Sequence, residues 1–189
     1  MAEPAGIEDM TWARRYARID RSHLLVFLTL LLVAFVPRFL TANRAIWFDE
    51  RFTLMNSTSI HQAIEHCIKD VHPPLYFVLV TLWRMALPST EFSLRLLSLI
   101  FGMLSVVGIF LVARSIAGWR AGVAASLVAA LAPDQWLYST ELRPYPLLLA
   151  FSAFATWALL RLLSTGRGRY FIVFTASTIL NLYSHYFAG

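Results

Sequence analysis

The sequence holds a single cysteine, Cys67, in 189 residues, so no intrachain disulfide can brace it, and it has no Cys/His spacing of the structural zinc type. A Gly-rich phosphate loop is also missing, which removes the usual route to nucleotide binding, and there is no internal repeat or low-complexity tract. Charge is scarce, at 14% of residues against the ~25% of an ordinary soluble domain. The basic residues are nearly all Arg, an economy that fits a GC-rich bacterial gene. A net charge of +5 would suit a nucleic-acid binder, but these Arg residues stand in twos and threes at the ends of apolar runs, not along one face. Their placement is topological, and no nucleic-acid partner is expected.

What is abundant is apolar surface. With 58% hydrophobic residues and a mean hydropathy of +0.62, the chain exceeds the ~45–50% of soluble proteins and reads as an all-α integral membrane protein. Residues 1–22 carry Arg14, Arg15, Arg18 and Arg21 ahead of a first apolar span at 24–40, so this basic tail is expected in the cytoplasm. Ala42-Asn43-Arg44-Ala45 is a poor signal-cleavage site, and the first span reads as an uncleaved anchor with Arg38 snorkelling at its far end.

Residues 41–73 form a polar segment with Asp49, Glu50, Glu65 and Asp70. Ser59 is placed to cap a short helix whose Ile60, Ile64, Cys67 and Ile68 share one face, suited to the bilayer surface. His61, Glu65 and His66 match neither H-E-x-x-H nor H-x-x-E-H, so a solvated face is the better reading.

The run 75–87 decides the topology. About 13 residues rise only ~20 Å as a helix, short of a ~30 Å hydrocarbon core. If it crossed, Arg114, Arg120, Arg161, Arg167 and Arg169 would lie outside and Glu141 inside, against the positive-inside rule. It is therefore expected to lie on the outer surface. Four further spans follow at 92–116, 121–138, 145–163 and 170–186, which gives five crossings. The first external loop is then 41–91, the second is 139–145, and residues 23–189 form one transmembrane module. Asp134 reads as an interfacial polar residue.

This topology gathers Asp49, Glu50, Asp70, His72, Glu91, Arg95, Glu141, Arg143 and His185 at one membrane face. A carboxylate there can act as a general base toward an acceptor hydroxyl. Several acids with a His suit a divalent cation, and Arg suits a phosphate. Two bland readings stay open: Arg95 and Arg143 as structural partners of Glu91 and Glu141, and His185 as an aromatic-belt neighbour of Tyr183 and Tyr186. A transporter is disfavoured because the middles of the spans are almost purely Leu, Val, Ala and Phe.

In order along the chain, Trp47-Phe48-Asp49-Glu50, Asp70-Val71-His72-Pro73-Pro74-Leu75-Tyr76-Phe77, Glu91-Phe92-Ser93-Leu94-Arg95-Leu96 and Tyr138-Ser139-Thr140-Glu141-Leu142-Arg143-Pro144-Tyr145 resemble the GT-C glycosyltransferases that use polyprenyl-phosphate sugars. Leu182-Tyr183-Ser184-His185-Tyr186-Phe187-Ala188 resembles the outer end of a later span in the same group. That group, similar to glycosyltransferase family 39, holds the protein O-mannosyltransferases and the lipid A aminoarabinose transferase. The resemblance implies inverting transfer from a polyprenyl-phosphate sugar to a hydroxyl acceptor on protein, lipid or glycan, on the periplasmic face of a bacterial inner membrane. It implies Asp49 as catalytic base, Glu50 as its supporting acid and Glu141 as the second-loop acid. Arg95, Arg143, His72 and Tyr76 would bind the donor, and Asp70, His72 and His185 are candidate ligands for a divalent metal. Members usually carry further spans, so the chain is expected to represent the amino-terminal portion of the fold, and a carrier-binding fragment is the alternative function.

Overall fold

A computed structural model describes residues 20–69 and 72–186. Among these residues all regular structure is helical: α1 (Arg21–Ala42), α2 (Phe48–Met55), α3 (Ile60–Lys69), α4 (Leu75–Ala86), α5 (Glu91–Ala117), α6 (Trp119–Leu131), α7 (Pro133–Tyr138), α8 (Tyr145–Thr165) and α9 (Gly168–Leu182). The all-α membrane module expected from composition is what the chain forms.

Three of these helices, α1, α5 and α8, are long and apolar enough to cross a membrane. The other two expected crossings are built from shorter pieces. The 121–138 run divides at Ala132–Pro133 into α6 and α7, because Pro133 has no N–H to continue the ladder and instead opens the new helix at its first position. The last run forms α9, with 15 residues.

All five rods nevertheless run between the same two ends. At one end, the His23 ring at the start of α1 meets Trp119 at the start of α6, 4.4 Å between centroids, and Arg114 near the end of α5 lies 5.5 Å over the same indole. Arg161 of α8 reaches the Tyr170 hydroxyl of α9 at 3.4 Å at that end. Positive-φ glycines make the two turns there: Gly118 at +87° between α5 and α6, and Gly166 at +62° closing α8. The far end collects the close of α1, the start of α5, the 139–144 loop, the start of α8 and the close of α9. Arg95 and Arg114 are 19 residues apart on α5, about 28 Å at 1.5 Å per residue, which matches a hydrocarbon core.

Close helix approach needs small residues, as it does in membranes generally. A Cβ on Gly108 of α5 would stand 2.7 Å from that of Ala153 on α8, and one on Gly102 would overlap the Ser139 side chain. Leu30, Ala34, Val106 and Ala130 form the mid-bundle contact. Arg38 does not snorkel as its position implied. It is fully buried and donates to the carbonyls of Ala34, Ala130 and Ala129 at 2.8, 3.2 and 3.3 Å. The carbonyls left open where α6 breaks need a donor, and Arg38 supplies it.

Helix α4 stays at the polar end, as its length required. Near its start the Tyr76 hydroxyl lies 2.7 Å from that of Ser98, and near its finish the Trp83 indole N–H donates to the Ser93 carbonyl at 2.8 Å. Both contacts fall within the first turns of α5. Ser59 caps α3 as expected, its Oγ accepting from the Gln62 N–H at 3.1 Å, and Ile60, Ile64 and Ile68 stay exposed. His66 departs from the solvated face and packs between the rings of Phe52 and Phe77.

Candidate functional site

The acid pair that opens α2 is split by helix geometry. Successive residues point about 100° apart, so when one carboxylate turns into the protein its neighbour turns away. Glu50 turns in and is fully buried, whereas the Asp49 side chain keeps 40% of its exposure.

Every acceptor site on Glu50 is used. Arg95 donates through Nε to Oε1 at 2.7 Å and through Nη2 to Oε2 at 2.5 Å, a bidentate fork. The Leu142 N–H donates to Oε1 at 2.9 Å and the Trp47 N–H to Oε2 at 3.3 Å. Arg95 spends its remaining donors on the chain that leaves α1: the carbonyls of Ala42 and Ala45, each at 3.0 Å, and that of Arg44. One buried ion pair thus ties together α1, α2, α5 and the loop before α8. Desolvating two charges is tolerable here because each is saturated with hydrogen bonds.

Around this buried latch lies an accessible cluster. The Asp49 carboxylate is 3.9 Å from Nη2 of Arg143, whose guanidinium lies 5.6 Å over the Tyr145 ring. Tyr145 packs in turn against His185, with 5.6 Å between centroids. Glu141 is nearly buried, 3.6 Å from Arg44. Burial pushes its carboxyl above the usual carboxylate range; the Arg44 charge opposes that, while Glu50 and Asp49 add to it. His185 is lowered, chiefly by burial, with His72 and Arg143 acting in the same direction.

The sequence-derived candidates therefore separate by accessibility. Asp49, Glu141, Arg143 and His185 meet at one end of the bundle. Glu50 and Arg95 lie beneath them as support, and Arg95 pairs with Glu50, not Glu91. Arg143 faces Asp49, and Glu141 takes Arg44, a partner that the sequence order did not single out. Tyr76 is fully buried in the cluster with Val80, Leu94, Leu97, Leu142 and Leu147. His72 packs at 5.9 and 6.0 Å from Phe52 and Phe77. Asp70 lies outside the described residues. Among the described residues no three His, Cys, Asp or Glu side chains converge as a metal-holding set, so no chemical step below is routed through a metal.

Beside this cluster, between α5, α7 and α8, is a cavity of about 180 Å³ lined by Ser105, Asp134, Gln135, Tyr138, Ser139, Tyr145, Pro146 and Leu149. Sequence order hid it, because its polar residues come from three separate helices.

The family model described as dolichyl-phosphate-mannose-protein mannosyltransferase matches residues 71–189. The chain belongs to this family. The matched stretch holds His72, Tyr76, Arg95, Glu141, Arg143 and His185, while Asp49 and Glu50 precede it and join the site through the fold. No curated protein matches the chain, and no solved structure does. As a member of the family, the chain is a multi-pass membrane protein of the glycosyltransferase kind, with the GT-C character that its motifs indicated.

Proposed function

We propose that the chain forms the acid-bearing module of a transferase that moves a sugar from a polyprenyl monophosphate to a hydroxyl acceptor, with inversion at the anomeric carbon. The observation that carries this reading is Asp49 itself: an accessible carboxylate 3.9 Å from Arg143, held on a helix whose next residue is locked to Arg95. Family membership supplies the class of donor.

In this reading Asp49 removes the proton from the acceptor hydroxyl as its oxygen attacks the anomeric carbon. The bond from that carbon to the phosphate oxygen breaks, and the phosphate leaves with the electron pair. Arg143 meets the charge that develops there. Glu141, held by Arg44, biases the acceptor side of the site. Glu50 and Arg95 are positioning residues, since their polar atoms are already occupied. Tyr76 acts through packing and its bond to Ser98.

The same reading places the acid-bearing end, with loops 41–91 and 139–145, on the periplasmic face and residues 1–22 in the cytoplasm. Support comes from the basic end opposite, with Arg114, Arg120, Arg161, Arg167 and Arg169. The test is to supply membranes containing the protein with polyprenyl phosphates carrying different radiolabelled sugars and to follow the label. Transfer from at least one donor is expected; absence of transfer from every donor by a folded protein would end the proposal.

A further inference from the structure

Asp134 is exposed on the bundle surface, at the edge of a cavity that it shares with Ser105 of α5 and Tyr145 of α8. It follows α6 by three residues, and α6 closes against Ala34 and Val106 in the middle of the bundle. Ser105, which lines the same cavity, is ten residues below Arg95 on α5, about 15 Å along the helix axis. An exposed carboxylate bordering a cavity is available to accept hydrogen bonds from a polar occupant there.

The lining specifies what kind of occupant. Asp134 and Gln135 offer planar acceptors and an amide donor, Ser105 offers a hydroxyl, and Tyr138 and Tyr145 stand edge to face at 5.3 Å. Flat aromatic faces beside short polar side chains suit a ring that is apolar on its C–H face and hydroxylated at its rim. The volume, about 180 Å³, is below the ~300–1,000 Å³ of a drug-sized pocket and suits a single ring, not a chain. Tyr145 connects this space to the acid cluster, because Arg143 lies over the same ring and faces Asp49.

We propose that this cavity is the sugar subsite of the donor, with Asp134 and Gln135 reading the ring hydroxyls while the phosphate sits toward Arg143. The inference rests on the polyprenyl-phosphate reading above and deepens it. Contacts to the ring hydroxyls make sugar identity, not the lipid tail, the quantity these two residues control.

The test uses the purified full chain in lipid nanodiscs. Its probes are polyprenyl phosphates carrying mannose, glucose or N-acetylglucosamine, and the same lipid without sugar. Wild-type protein is expected to bind at least one sugar-bearing lipid about tenfold more tightly than the bare lipid, the worth of one or two hydrogen bonds. Asp134→Ala and Gln135→Ala should each remove most of that preference and leave affinity for the bare lipid unchanged, which also certifies their folding. Retention of the full preference in both variants overturns the subsite. Equal wild-type affinity for bare and sugar-bearing lipid leaves the donor reading standing and overturns the subsite alone. Binding of neither lipid by the wild type overturns both.

Discussion

Arg95 on α5 and Glu50 on α2 form a fully buried bidentate pair, 2.5 and 2.7 Å between donor and acceptor atoms, across 45 residues of sequence. This contact converts an adjacent acid pair into one structural and one accessible carboxylate. Removing one member leaves the other charge buried and unmatched, so Arg95→Met or Glu50→Leu should cost about 3–5 kcal/mol. Thermal unfolding of the detergent-solubilised protein measures it. The double variant, Arg95→Met with Glu50→Leu, should recover part of the loss, because no orphan charge remains.

Asp49 is expected to behave in the opposite way. Its carboxylate is accessible and makes one long contact to Arg143, so Asp49→Asn should leave the unfolding temperature close to wild type. Sugar transfer should fall about 10²–10⁴-fold, the usual worth of a positioned general base. Comparison of turnover and melting for Asp49→Asn and Glu50→Gln separates the two roles directly.

The contact between α5 and α8 depends on two small residues. A Cβ on Gly108 would lie 2.7 Å from that of Ala153, inside van der Waals contact, and both sides of the contact are helix. Gly108→Ala should therefore destabilise by about 1–3 kcal/mol despite its better helix propensity. A double-mutant cycle with Ala153→Gly should show favourable coupling, with the pair more stable than the sum of the single changes.

Acid should loosen the end of the bundle that holds His185. Its imidazole is lowered from the ordinary value of 6.5 by burial, aided by His72 and Arg143. A depressed folded value means that its contribution to stability is complete above pH ~6.5 and is lost as pH falls through the folded value. Melting temperatures of wild type and His185→Asn, taken at intervals from pH 7.5 to 5, should show a shallower acid decline in the variant.

Sidedness is measurable by thiol labelling. In a Cys67→Ser background, Ser89→Cys stands on the exposed link between α4 and α5, and Arg167→Cys on the link between α8 and α9. A membrane-impermeant maleimide should modify the first in intact cells and the second only after permeabilisation. The reverse pattern would invert the proposed orientation.

Sequence periodicity and charge already made the membrane class, the α1, α5 and α8 spans and the non-crossing α4 legible. These follow from local quantities: run length, flanking Arg and the ~30 Å thickness that an apolar helix must match. The gathering of polar residues at one end was legible too, because alternation of direction is additive along a chain. Partner choice was not. Arg95 to Glu50, Glu141 to Arg44 and Arg38 to the broken end of α6 each join residues 45 to 97 positions apart, and nothing local distinguishes them from nearer candidates such as Glu91.

The sequence alone therefore determined which side chains reach the polar end of the bundle. Only the tertiary structure decided which of them remain accessible there. The ~100° step between adjacent helical residues guarantees that Asp49 and Glu50 diverge, but which one turns inward depends on where α5 brings Arg95 and where the 139–144 loop presents the Leu142 N–H.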